Sequence, residues 1–205
     1  MEVMYIKKIS NNYLKNKDII GLVGEYSDLI TLVNDVESIK INSNVKVKFY
    51  LKNEVNLLEK FNLSKNINNK KIKELSTTEL KILTLIKIIS LNPELIILNN
   101  FEIGINEKYL NTIVRFLKNI NLERKIKIII LSKNTLFLNK ISKKIIIMKN
   151  NIIKYQGEIL SAIKQGLLPK PEILNFIDLA NEKGAKLDYT LDEKELLKDI
   201  YRSVY

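Results

Sequence analysis

The sequence contains no cysteine, no histidine and no tryptophan, and only three prolines and six glycines. Without cysteine there is neither a disulfide framework nor a thiolate nucleophile. Without histidine the chain lacks the side chain that most often serves as general base and metal ligand. Every apolar run is interrupted by Lys, Asn or Asp before it reaches membrane-spanning length. The opening residues Met1, Glu2, Val3, Met4 and Tyr5 lack the basic-then-apolar order of a secretory leader, so the chain is not expected to cross a membrane by itself. What is present suits an ordered protein: 205 residues, 46% of them hydrophobic, enough to enclose a substantial core.

A formal charge of +11 would draw the surface toward phosphate-rich partners, either nucleic acid or anionic lipid headgroups. The lysines are scattered and not gathered into a basic run with interleaved aromatics. A generally basic surface is therefore expected, and a nucleic-acid footprint is not.

Periodicity places the elements. Residues 18–23 form a short apolar run ending at Gly24, and an amphipathic stretch follows over 28–39, giving strand, turn, helix. Residues 45–51 alternate apolar and polar, the period of a half-buried strand, with an amphipathic helix through Val55, Leu58 and Phe61 after it. Ser76 and Glu79 form a capping box at the start of a largely buried helix with Leu80, Leu83, Ile86 and Ser90 along one stripe. Pro93 turns the chain into a buried strand, Leu95, Ile96, Ile97 and Leu98, which ends at Asn99 and Asn100. A helix capped by Asn106 carries Leu110, Ile113, Val114, Leu117 and Ile120 on one face. A second buried strand covers 126–131. Strands at 144–148 and 152–155 flank a turn in which Asn150 and Asn151 can take the left-handed backbone. Pro169 and Pro171 set off a tail with a helix through Ile173, Leu174, Ile177 and Leu179 as far as Gly184. Thr190, Leu191, Asp192 and Glu193 are expected to cap a last helix through Leu196, Leu197, Ile200 and Tyr201.

Capped helix, proline turn and buried strand, in that order, resemble the signature helix and Walker B strand of the ATP-binding-cassette (ABC) ATPases, and the resemblance extends over residues 18–158. It implies an α/β fold: a P-loop NTPase-like ABC ATPase core with a shortened helical subdomain over residues 1–165, then a small helical C-terminal extension over 166–205. The extension is similar to that of energy-coupling-factor transporter ATPases, where it helps hold two ATPase subunits together, so the resemblance implies dimerisation.

The residues at the family's nucleotide site differ. Residues 24–31 can be laid without a gap on the phosphate-loop pattern G-x-x-x-x-G-K-[ST]. Gly24 and Thr31 match, but Leu29 stands for the second glycine and Ile30 for the lysine. A β-carbon at Leu29 would crowd the loop, and Asp28 would cost on the order of several kcal/mol beside a triphosphate at an effective dielectric near 20. A plain strand-to-helix turn is the preferred reading of Gly24 and Thr31. Asn99 and Asn100 stand where the family has its metal-holding aspartate and catalytic glutamate. Asn106 replaces the aspartate of the following loop, whose Gly104 is kept, and Lys133 replaces the switch histidine. In the signature, Ser76 is retained while Thr77, Thr78 and Glu79 take the places of Gly, Gly and Gln. A neutral amide is a poor substitute for a carboxylate on magnesium.

No catalytic residue and no metal ligand is therefore expected, and ATP with magnesium is implied by the resemblance alone. The function expected is that of an ABC transporter ATPase-like subunit without hydrolysis residues, a non-catalytic or structural partner in a membrane transport complex. Its partners would be an ABC ATPase or a second copy of itself, and a hydrophobic membrane subunit, with the chain cytoplasmic and peripheral on the inner face of the cell membrane. The alternatives are a soluble scaffold or regulator that keeps the fold for protein contacts, and an active ATP-binding ATPase of an importer.

Overall fold

The computed structural model describes residues 2–6, 19–33, 36–63 and 65–204; Met1 and Asp18 lie outside them. The described strands are β1 (Glu2–Ile6), β2 (Ile19–Val23), β3 (Glu37–Ser38), β4 (Leu95–Asn99), β5 (Lys127–Leu131), β6 (Lys144–Lys149) and β7 (Ile152–Gly157). They form one sheet in the order β3-β1-β4-β5-β2-β6-β7. The inner strands β4, β5, β2 and β6 run parallel, and β1 and β7 flank them antiparallel. Parallel strands are buried on both faces and read as continuous apolar runs. Leu95, Ile96, Ile97 and Leu98 are all fully buried, as are Ile128 and Ile130 in the neighbouring strand. In β2, Gly21 is needed for packing, because a Cβ there would come within 2.9 Å of Ile145 and 3.1 Å of Leu138.

One face of the sheet carries the larger core, in which α3 (Thr77–Ser90) and α4 (Glu107–Arg124) bury Ile82, Leu83, Ile86, Ile113 and Leu117. The other face is covered among the described residues by α1 (Tyr26–Leu32), through Leu29 and Leu32 against Leu22, Ile97 and Ile129. The remaining helices are α2 (Val47–Leu51), α5 (Thr135–Ile141), α6 (Ile159–Lys164), α7 (Glu172–Glu182) and α8 (Glu193–Val204). Among the described residues no helix is long and apolar enough to cross a membrane.

The local rules act as the sequence implies at several ends. The Ser76 hydroxyl accepts from the Glu79 amide at 3.2 Å while the Glu79 carboxylate accepts from the Ser76 amide at 2.7 Å, starting α3. Asn106 caps α4 through the Lys108 amide. Asn150 and Asn151 adopt φ of +55° and +63° in the β6–β7 turn.

Four expectations are corrected. Residues 45–51 do not form a strand: α2 occupies 47–51, because Val47 and Leu51, one helical turn apart, bury together and leave Phe49 exposed. Alternation over so short a run fits either period, and packing decides. The segment through Val55, Leu58 and Phe61 is a run of 3₁₀ turns, Lys52–Phe61, and not a regular helix. The amphipathic stretch 28–39 splits: α1 ends at Leu32 with Val33 extended, and β3 then pairs with β1. Asp192, not Thr190, caps α8, its carboxylate accepting from the amides of Lys194 and Glu195, while the Thr190 hydroxyl accepts from the Asp192 amide. The N-terminal strand β1 was not among the strands read from the sequence.

Phe61 is fully buried edge-to-face on Phe116, with ring centroids 4.7 Å apart, and so ties the 3₁₀ segment to α4. Phe61→Ala is expected to lower unfolding stability by about 3–5 kcal/mol, measured by urea titration. A loss under about 1 kcal/mol would mean that this segment is not part of the cooperative core.

Candidate functional site

In open α/β sheets, ligand crevices lie beyond the carboxyl ends of the strands. The carboxyl ends of β2, β4 and β5 here open on a cleft of about 700 Å³, lined by residues that include Gly24, Glu25, Asn99, Asn100, Glu102, Ser132 and Lys133. The strands deliver each of these. Gly24 and Glu25 follow β2, Asn99 and Asn100 close β4, and Ser132 and Lys133 follow β5. The Ser132 amide donates to the Leu22 carbonyl and the Asn100 amide to the Leu131 carbonyl at 2.8 Å, which knits the three strand ends together. Asn100 sits at φ +46°, a left-handed backbone that asparagine tolerates better than most residues.

The connection from β2 to α1 is short. Gly24 and Glu25 alone link them, and α1 begins at Tyr26. Its anion is internal: the Asp28 carboxylate is buried at 2% exposure and accepts the Glu25 amide at 2.8 Å and the Asn151 amide at 2.6 Å. Asp28 is thus not the uncompensated charge expected from the sequence, because two backbone donors converge on it, one from a residue more than a hundred positions away. Gly24 must be glycine for the same reason, since a Cβ there would lie 2.8 Å from an Asp28 oxygen and 3.3 Å from the Met148 carbonyl. Leu29 is fully buried in α1, Ile30 points partly to solvent, and the Thr31 hydroxyl donates to the Asp28 carbonyl at 2.7 Å. None of these three residues lines the cleft.

On the opposite wall, the Ser132 hydroxyl donates to Glu102 and accepts from the Asn134 amide at 2.9 Å. The other Glu102 oxygen is buried without a hydrogen bond. Beneath this loop Lys81, 7% exposed, donates to the carbonyls of Phe101 at 2.8 Å and Ile103 at 2.6 Å. Burial pushes the Lys81 ammonium below its ordinary pKa, and the nearby Glu102 charge offsets part of that push. Asn100 donates to the Asn99 side chain at 3.1 Å. At the rim, Lys133 and Glu25 form an exposed ion pair of 2.7 Å, a pair worth roughly 1 kcal/mol or less.

The structure therefore brings Gly24, Asn99, Asn100 and Lys133 to one cleft and leaves Ser76, Thr77, Thr78, Glu79 and Asn106 outside its lining. Thr78 ties the start of α3 to the loop before α4, its hydroxyl donating to the Gly104 carbonyl and accepting from the Asn106 amide, both at 3.3 Å. Sequence reasoning missed Glu25, Glu102, Ser132 and Lys81. The one available signal was Lys81, which falls on the buried stripe of α3 between Thr78 and Leu85, where a lysine must find acceptors.

No family model matches the sequence, and no curated protein matches it. Solved structures do match in fold. An ATP-binding subunit of an ABC transporter superposes with a TM-score of 0.60 at 12% identity, covering 87% of this chain and all of that one. A nucleotide-free ATP-binding cassette from an ABC transporter gives 0.59 at 14%, covering 84% and 97%. CbiO1 from Clostridium perfringens, part of the ABC transporter complex CbiONQ, gives 0.58 at 13%, covering 86% and 94%. The chain has the α/β fold of an ABC ATPase core, and at these identities the likeness is one of fold.

Two substitutions test the geometry. Asp28→Ala removes the acceptor from two backbone amides and is expected to cost about 2–4 kcal/mol in urea unfolding, given roughly 1.5–3 kcal/mol for a hydrogen bond to a charged group; an effect within about 0.5 kcal/mol would mean the amides are satisfied without it. Partial burial by itself raises the Glu79 carboxyl, but Ser76 and the Lys70 ammonium outweigh it and hold the group below its ordinary value of 4.5. Its stabilising contribution is complete above that value and is lost as pH falls through the lower, folded one. Glu79→Gln should accordingly flatten the acid limb of a stability-against-pH curve, and an unchanged limb would rule out this linkage.

Proposed function

We propose that this chain is a non-hydrolysing ABC ATPase-like subunit of a membrane transport complex. The observation that carries the reading is the β2–α1 connection. Positions 24–29, which the phosphate-loop pattern would give to an open loop, are here two linking residues and the first turn of α1, and Asp28 takes the amide of Glu25 for itself. The Glu25 amide is therefore already taken by a buried side chain and cannot cradle a phosphate, and no lysine at position 30 supplies a countercharge. At the ends of β4 the side chains are the neutral amides Asn99 and Asn100, so the donor set does not fit a magnesium nucleotide, which prefers charged oxygen ligands together with phosphate and water. The Ser132 hydroxyl is committed within the cleft wall, donating to one Glu102 oxygen and accepting from the Asn134 amide.

On this reading residues 1–165 are the cassette-like unit and residues 166–205 its contact with a second ATPase subunit, either a competent cassette or another copy. The extension supports this by what it leaves uncovered: Phe176 and Leu179 on α7 and Leu197 and Tyr201 on α8 are each at least half exposed. A hydrophobic membrane subunit completes the complex and places the chain at the inner face of the cell membrane.

Titration calorimetry with Mg-ATP up to millimolar concentration is expected to give no saturable heat and no rise in Tm. Phosphate release that disappears in Thr31→Ala would overturn the non-hydrolysing assignment, and saturable binding would mean that residues 24–31 still cradle phosphate in an altered way. Co-purification of a hydrophobic membrane subunit would support the transport assignment, and recovery of soluble partners alone would replace it with a scaffold role.

A further inference from the structure

The opposite end of the sheet carries a groove that the cleft and the helical extension do not account for. Strands β2, β5 and β6 run parallel away from it toward the cleft, so the two lie roughly 15 Å apart, five strand residues at about 3.3 Å each. The groove has a volume of about 650 Å³, and its lining includes Lys118 and Leu122 from α4, Lys143 just before β6, Lys144 at its start, and Ile19 and Ile141. Lys118 is distant in sequence from the adjacent Lys143 and Lys144 and meets them only because α4 packs beside α5, which leads into β6.

Three features of the groove point to the same partner. Its charge is of one sign: among the described residues no carboxylate lines it. Lys118 is steadied at the rim by donating to the Lys140 carbonyl at 2.7 Å, while Lys140 itself pairs with Glu107 at 3.7 Å. Lys143 and Lys144 are exposed. The second feature is Leu122, 66% exposed in the last turn of α4 beside these cations. A leucine offers nothing to a phosphodiester backbone, but it can enter the acyl boundary of a bilayer while flanking lysines meet headgroup phosphates. The third is the absence of any aromatic side chain from the described lining, which removes the stacking platform that single-stranded nucleic acid uses.

We infer that this groove is a contact surface for anionic lipid bilayers, with Lys118, Lys143 and Lys144 as the electrostatic elements and Leu122 as the shallow insertion. The inference does not depend on whether the cleft binds nucleotide. Each lysine near an anionic bilayer strengthens association about fivefold at moderate salt, and the attraction decays over a Debye length of about 8 Å. Three lysines with one leucine make a weak, reversible contact, suited to orienting a protein that other subunits already hold at the membrane.

The test is vesicle co-sedimentation of the full chain, comparing phosphatidylcholine vesicles with mixed phosphatidylcholine and phosphatidylglycerol vesicles. Binding is expected to the mixed vesicles alone and to weaken as salt rises. The double variant Lys143→Glu with Lys144→Glu should lose about 25-fold or more, at fivefold for each lysine, and the milder Lys143→Ala with Lys144→Ala should follow the same ranking. Leu122→Ser should weaken binding several-fold while leaving its salt dependence intact. The control is Lys149→Glu with Lys154→Glu on the β6–β7 hairpin, which changes net charge equally and should retain most of the binding. Equal losses in the groove and hairpin variants, or no binding to mixed vesicles, would overturn the proposal. So would full competition by inorganic phosphate together with no effect of Leu122→Ser, which would make the groove a site for free phosphate.

Discussion

Two backbone amides converge on one buried carboxylate, and the arrangement of this end of the molecule follows from that. Asp28 takes the Glu25 amide and the Asn151 amide, so a single side chain closes the β2–α1 connection and pins the β6–β7 turn to it. A buried carboxylate without donors would be costly, and an ionised group with two short backbone bonds is among the stronger hydrogen-bonded arrangements a protein can make. Once Asp28 is seated, Gly24 can carry no side chain, α1 must begin at Tyr26, and Leu29 falls onto the sheet. The short connection, the buried helix face and the hairpin position form one solution and not three.

The other wall of the cleft is built by the same means with the opposite sign. Lys81 is buried under the loop after β4 and spends its protons on the Phe101 and Ile103 carbonyls, so that the loop is shaped by a cation where a tighter turn would shape itself. Glu102 then faces Ser132 with one oxygen paired and one not. Partly satisfied buried polar groups are high-stakes elements, because the low local dielectric that strengthens a good hydrogen bond also penalises a missing one. The orphan Glu102 oxygen is the least settled polar atom of the cleft wall.

What could be read from the sequence was local, and what could not was long-range. The capping box at Ser76 and Glu79, the cap at Asn106 and the left-handed asparagines at 150 and 151 each involve residues within a few positions of one another, and each appears as its local chemistry dictates. The buried strand β4 was legible because a run of Leu and Ile after a proline has few other uses. The run at 45–51 was misread because seven residues carry too little period to separate strand from helix, and burial of Val47 with Leu51 settled it. The pairing of Asp28 with Asn151 was invisible, since neither partner marks the other, and of Lys81 and Glu102 only the lysine stood out, as a cation on a buried stripe. A carboxylate that looks repulsive in a motif alignment becomes structural when a hairpin from far along the chain supplies its donor.

Charge behaves in the same way. Along the chain the lysines look evenly spread, and a net charge of +11 read that way predicts only a solvated basic surface. The fold breaks the evenness. At the carboxyl end of the sheet Lys133 is paired with Glu25, and two further carboxylates, Asp28 and Glu102, turn inward. At the amino end Lys118, Lys143 and Lys144 gather round a groove with no described carboxylate in its lining. Surface fields depend on the local sum of charges within about a Debye length and not on the total, so the two ends of one five-residue-deep sheet present different electrostatics. A phosphate-rich partner would be attracted to the end that the resemblance to a nucleotide-binding fold does not single out.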